Sequence, residues 1–396
     1  MNNLVNSGVY KINFRREWFF ILGITISFNI MLTNYLYEFD SGLVKGGDLI
    51  RFILKALSIF FIIISQPKPS KFLIQKNFLI IFSFILFLIS ALIYTPFSDW
   101  NEFQFYNMFF VLFILFGIGY KKKFIQNLNI ILIYIFLFIW LPFDLISLIS
   151  GNSLWENKAF IGGIGNPSSY GLILLYLILI NKNIFSFFFE SLINILLFVS
   201  LLLTQALMPI LILLIFSFFI FKKKVFILIS VLITTIGVFF LDLFLNYLGL
   251  QDLHFLAKIE GLYNYGLYAD LGSVFYRLEY WKDVYKLFDN PLTFLFGHIN
   301  GFSYNAGDGQ YVAYLTSFGF PIFIIFIFSI FKIVYYFKNY NNETAYRFKL
   351  FFIAVLLILL TNRYLDYWPN AIIVFLTINH LSFLNHEYWN NKSISI

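Results

Sequence analysis

Arg277 and Trp281 stand four residues apart, and the polar segment beyond them carries Gly297, His298, Gly301 and then Asn305-Ala306-Gly307-Asp308-Gly309-Gln310-Tyr311. A guanidinium binds phosphoryl oxygens through paired N–H donors. A carboxylate such as Asp308 serves as a general base, or accepts a hydrogen bond from a sugar hydroxyl. Two further cations, Arg51 and Lys55, are four apart and share one helix face within an apolar run, where charge is costly and normally faces a cavity or a partner. Arg363, with Asp366 and Trp368, occupies a short polar break near the C-terminus. Each group also has a plainer use. Arg277 would anchor a helix by snorkelling, Asp308 would cap one, Arg51 and Lys55 would reach lipid phosphates, and Arg363 would pair with Asp366. The residues alone leave both readings open.

The elements that position these groups follow from composition. The chain has 396 residues, is 60% hydrophobic and 12% charged, and holds 56 Phe and 26 Tyr. A soluble globule needs about twice that charge density to cover its surface. A bilayer core of ~30 Å asks for about 20 apolar residues per helix, and runs of that length recur along the chain. The expectation is an all-α, polytopic membrane helix bundle. The net charge of +7 sits in short basic clusters between apolar runs, the pattern of cytoplasmic loops rather than of a nucleic-acid site. Cysteine is absent, so there is no disulfide framework and no thiolate chemistry.

The basic clusters set the threading. Lys11, Arg15 and Arg16 hold the N-terminus inside, ahead of an apolar run long enough to stay as an anchor. Spans two, four and eight return to Lys68–Lys76, Lys121–Lys123 and Lys222–Lys224, and the sixth to Lys182. The seventh turns near Gln205, the tenth is followed by Lys338, Arg347 and Lys349, and the eleventh ends at the Asn362–Asn370 loop. That is about 12 transmembrane helices with both termini cytoplasmic, in one membrane domain covering 1–396. Asp144, Glu190 and Asp242 are acidic groups within the spans. Heavy use of Phe, Ile, Asn and Lys is the mark of an AT-rich coding sequence, so a single Asn or Lys carries less weight than usual.

One outer loop is large. Residues 245–311 hold nine of the 26 Tyr, too aromatic for a disordered linker. Within it Val274, Leu278, Trp281, Tyr285 and Phe288 form a stripe spaced by four, three, four and three, with Glu279, Lys282, Asp283, Lys286 and Asp289 opposite. This predicts an amphipathic helix along the outer interface, ended by Asn290-Pro291. Arg277 sits on the stripe's edge.

A polytopic chain with one large late loop, reading Arg277-Leu-Glu-Tyr-Trp281, Asn290-Pro291-Leu292, Phe296-Gly297, Asp308-Gly-Gln-Tyr311 and Ser317-Phe318-Gly319, resembles the O-antigen polymerase (Wzy) and O-antigen ligase superfamily. Gly162-Gly-Ile-Gly165-Asn166-Pro167-Ser-Ser-Tyr170-Gly171 is similar to that family's Gly/Asn entry to a middle span. Two departures stand out. Ligases tend to carry His where this chain has Asp308, which favours the polymerase. The family's Ser-Arg pair at the outer end of a middle span is replaced by Leu203-Thr204-Gln205-Ala206.

The resemblance implies a glycosyltransferase that joins undecaprenyl-diphosphate-linked oligosaccharide units at the periplasmic face of the bacterial inner membrane, with a Wzz-like chain-length regulator as partner and no nucleic acid. It implies Arg277 and Asp308 as catalytic residues, the first on the leaving diphosphate and the second as base or acceptor-positioning group. Arg51, Lys55, Arg363, Trp281, Tyr311, Gln310, His298 and Asn166 would bind substrate. No Asp-x-Asp occurs, Glu38-Phe39-Asp40 is the nearest carboxylate pair, and neither a metal nor a cofactor is expected. The rival readings are an O-antigen ligase, a lipid-linked oligosaccharide flippase and a secondary transporter. The last two would show paired halves or midplane charges rather than one late polar loop.

Overall fold

The computed structural model describes residues 14–30, 32, 44–65, 71–94, 109–115, 122–150, 159–181, 186–220, 281–282, 286, 288–297, 309–336, 343–362, 364–366 and 368–394. Among them every regular element is helical. In chain order these are α1 (Phe14–Asn29), α2 (Val44–Ser65), α3 (Lys71–Lys76), α4 (Phe78–Tyr94), α5 (Lys122–Ile135), α6 (Leu141–Ser150), α7 (Pro167–Ile180), α8 (Phe187–Leu203) and α9 (Leu207–Ile220). The series continues with α10 (Pro291–Phe296), α11 (Gln310–Phe318), α12 (Phe320–Tyr336), α13 (Glu343–Ile358) and α14 (Trp368–Ile394), and a further helical stretch covers 109–115. The expected ninth span lies outside the described residues, as does 245–280 of the outer loop.

A π turn, Phe136–Trp140, joins α5 to α6, closed by the Leu141 amide donating to the Phe136 carbonyl. One extra residue in that turn shifts the helix face, and both Phe136 and Trp140 are buried. The resulting continuous stretch Leu128–Ile149 is the one helix among the described residues long and apolar enough to cross a membrane. Glu17–Asn29, Phe78–Ser90, Pro167–Ile180, Phe187–Leu203, Leu207–Phe216 and Phe320–Tyr335 are apolar helices of 10–17 residues.

Close packing follows from small residues and stacked rings. Gly23 lets α1 approach α2, because a Cβ there would lie 2.7 Å from both the Ser58 carbonyl and Ile62 Cγ1. Phe87 of α4 stacks on Phe318 at 4.2 Å, and Phe84 meets Phe375 edge-on at 5.1 Å. Tyr176 of α7 meets Phe351 of α13 at 4.8 Å. Large apolar side chains also stand on the outside of the described helices: Phe187 is 89% exposed, and Phe188, Ile149, Phe328 and Phe331 project likewise.

The helix ends gather at two opposite ends of the bundle. Arg347, near the start of α13, donates to the Leu179 carbonyl at the finish of α7 (2.9 Å), so these two helices run antiparallel. On that end Asn77 Nδ2 donates to Asn379 Oδ1 (2.7 Å), Asn379 Nδ2 to the Ile114 carbonyl (2.8 Å), and Ser382 Oγ to Asn77 Oδ1 (2.8 Å). The other end holds the start of α7, the finish of α13 and the first turn of α14. Most of the described residues singled out above lie there.

The tenth apolar run, read as one span with an early glycine, is two helices divided at Gly319. Gly319 and Gly297 both have left-handed backbones, φ 80° and 82°. A Cβ on Gly319 would collide with the Leu295 carbonyl and Gly297, and one on Gly297 with the Ser317 carbonyl. The two motif glycines are therefore a single backbone-to-backbone contact joining α10 to α11 and α12. Asn290-Pro291, expected to end a helix, also opens one: Asn290 caps α10 by accepting the Leu292 amide at 3.0 Å, and Pro291 takes the first turn, where no amide is needed.

Candidate functional site

The start of α11 is stitched to the finish of α13. The Gln310 amide donates to the Leu359 carbonyl (2.9 Å), and the completely buried Gln310 Oε1 accepts the Leu365 amide (3.0 Å). Tyr311 Oη donates to the Leu356 carbonyl at 3.1 Å. These bonds satisfy carbonyls that the end of α13 would otherwise leave open, and they pin the 3₁₀ turn Tyr364–Asp366 that leads into α14. Gly309 (φ 138°) is needed for this approach, since a Cβ there would lie 3.1 Å from the Leu360 carbonyl. The residues next to Asp308 in sequence thus touch the residues on both sides of Arg363.

The cation-bearing turn of α2 joins the same corner. Phe52, between Arg51 and Lys55, stacks on Phe110 at 6.2 Å, and Phe110 meets Trp368 of α14 at 5.5 Å. Arg51 is half-buried and Lys55 is 2% exposed. A lysine so deep in an apolar helix carries a large desolvation cost unless polar groups face it.

Asn166 stands on a neighbouring corner. It is the N-cap of α7, with Oδ1 accepting the Ser169 amide at 3.0 Å and Pro167 following. Before it, 159–165 folds into the bundle as a buried loop with a 3₁₀ turn, Gly162–Ile164. Asp144 Oδ1 accepts the Ile161 and Gly162 amides (3.2 and 3.0 Å), Trp140 Nε1 donates to Asn29 Oδ1 (3.0 Å), and Phe160 donates its amide to the Leu203 carbonyl (2.9 Å). Gly163 leaves no room for a side chain. Its Cβ would lie 2.6 Å from Trp140 Nε1 and 2.8 Å from Asn29 Oδ1.

The Leu203-Thr204-Gln205-Ala206 turn adjoins this loop. Gln205 there has φ 57°, a left-handed backbone that costs a non-glycine residue about 1 kcal/mol or more. Thr204 braces it, Oγ1 donating to the Leu201 carbonyl (2.7 Å) and accepting the Ala206 amide (3.2 Å).

Trp281 and Lys282 are helical, and Trp281 is 37% exposed, ahead of the segment that reaches α12 through Phe288, Phe294 and Phe320. Arg277, Asp308, His298 and Arg363 lie outside the described residues. Of the expected set, then, Arg51, Lys55, Gln310 and Tyr311 are brought to one corner, Asn166 to the next, and Trp281 to the rim.

Sequence reasoning passed over Asn29, Trp140 and Asn370, and gave Asp144 no role beyond its charge. Asn370 is completely buried in the first turn of α14. The available signal was an Asn just after Trp-Pro at the start of an apolar run. Discounting Asn as a product of base composition hid it.

No protein-family model matches the chain, and neither a curated protein nor a solved structure is significantly similar to it.

Proposed function

We propose that the chain is an O-antigen polymerase: an inner-membrane glycosyltransferase of about 12 spans, with both termini cytoplasmic. It joins undecaprenyl-diphosphate-linked oligosaccharide units at the periplasmic end of the bundle. A terminal sugar hydroxyl of one unit attacks the anomeric carbon of the growing chain. A new glycosidic C–O bond forms, the C–O bond to the diphosphate breaks, and undecaprenyl diphosphate departs. Asp308 takes the hydroxyl proton or orients that hydroxyl. Arg277, with Arg51, Lys55 and Arg363, meets the negative charge that grows on the leaving diphosphate, where fixed cations lower the barrier most. Trp281 and the loop tyrosines give flat surfaces for sugar rings.

The observation that carries this reading is the convergence of the Arg51–Lys55 turn, the Gln310-Tyr311 start of α11 and the first turn of α14 on one corner of the bundle. An exterior of exposed phenylalanine supports the membrane setting, because lipid solvates such a surface and water does not. A Wzz-like regulator is the expected partner.

The test is a chromosomal deletion with the surface polysaccharide resolved by length on a gel, before and after complementation. A polymerase deletion leaves core bearing one repeat unit, wild type restores the ladder, and Arg277→Ala at normal expression does not. Bare core with accumulated lipid-linked polymer would instead mark a ligase. Bare core with short lipid-linked units trapped on the cytoplasmic side would mark a flippase.

A further inference from the structure

We infer that Asn370 and Trp368 form a recognition site for a hydroxylated sugar of the lipid-linked substrate, an assignment that rests on the polymerase reading above. Both belong to the first turn of the 27-residue helix α14. Trp368 is held by Phe110 against its ring, yet its indole N–H has no partner. Neither Oδ1 nor Nδ2 of Asn370 has one either, although the side chain is completely buried. A buried polar group left unpaired is destabilising, and a helix in lipid has no bulk water to relieve it. Side chains in a helix lean toward its N-terminus, which puts the Asn370 carboxamide beside the open amides of the first turn.

The chemistry of the unpaired atoms selects the ligand. The indole offers one donor, and the carboxamide offers two donors and an acceptor. A phosphate supplies acceptors alone and would leave Asn370 Oδ1 unpaired. A sugar hydroxyl both donates and accepts, so two adjacent hydroxyls satisfy both ends of the carboxamide while a ring oxygen or a third hydroxyl takes the indole N–H. A trapped water would satisfy the same atoms, and substitution separates the two.

Asn370→Leu keeps the branched heavy-atom skeleton and removes every polar atom, and Trp368→Phe keeps an aromatic ring and removes the N–H. Both are expressed in the deletion strain. The polysaccharide ladder and the thermal unfolding midpoint of the purified full chain are then measured. The expected result is an Asn370→Leu protein whose midpoint equals or exceeds wild type but which makes at least about ten-fold less polymer, with a several-fold loss for Trp368→Phe. A wild-type ladder from Asn370→Leu overturns the assignment, since the atoms then serve a water or nothing. A lowered midpoint, or a chain that fails to accumulate, also overturns it, since the carboxamide is then holding the fold. Trp368→Phe with a wild-type ladder counts against it independently. If the deletion itself leaves the polysaccharide unchanged, the polymerase reading fails first and takes this inference with it. A deletion phenotype with a fully active Asn370→Leu sinks the inference alone.

Discussion

Two corners at one end of this bundle are built from the same residue types and finished differently. In one, Trp140 and Asn29 are joined at 3.0 Å and Asp144 accepts two amides of the buried 159–165 loop. In the other, Trp368 and Asn370 are both buried, Asn370 more deeply than Asn29, and neither finds a partner. A Trp–Asn pair closed at one corner and open a few helices away separates scaffold from the sugar site inferred above. The completed corner holds three helix ends and a loop together. The open corner waits for a ligand to supply the missing bonds.

The contrast breaks most sharply at the scaffold. Gly163→Val puts carbon where Trp140 Nε1 and Asn29 Oδ1 already stand, and should cost about 3 kcal/mol, seen as a large fall in the unfolding midpoint. Asn29→Leu strips the indole N–H of its acceptor and should cost about 1–3 kcal/mol. Its polymer yield should fall only in proportion to the folded protein recovered, the reverse of Asn370→Leu. Equal behaviour of the two Asn variants would erase the distinction. Gln310→Leu strands the Leu365 amide and should cost about 2 kcal/mol while loosening the turn that leads into α14. Its specific activity should therefore fall more than its stability explains. Tyr311→Phe removes one hydroxyl–carbonyl bond and should cost about 1 kcal/mol, with polymer length unchanged.

Much of the architecture was legible because apolar run length and basic punctuation are strong signals. The predicted return at Lys68 matches the finish of α2 at Ser65, the third run stops at Tyr94 before Pro96, and α8 ends at Leu203 beside the expected turn at Gln205. What escaped was local backbone geometry. A hydropathy reading cannot place a π turn at Phe136–Trp140, nor foresee that Gly297 and Gly319, 22 residues apart, are one contact. The candidate residues were legible by type, and their partners were not. Gln310 was singled out for its place in a motif, yet its bond to Leu365 is a tertiary contact spanning 55 residues. Asn29, Asn166 and Asn370 look alike in the sequence, and only the packed structure tells an acceptor, a cap and an open site apart.

The central claim is that this chain makes a glycosidic bond at one end of the bundle. Its most direct test is reconstitution of the purified protein in liposomes containing undecaprenyl-diphosphate-linked repeat units from the same cell. The account predicts lipid-linked products longer than the input, with one undecaprenyl diphosphate released per new linkage and neither formed by Arg277→Ala. Units that cross the bilayer at unchanged length, with no diphosphate released, would contradict it and make the chain a transporter.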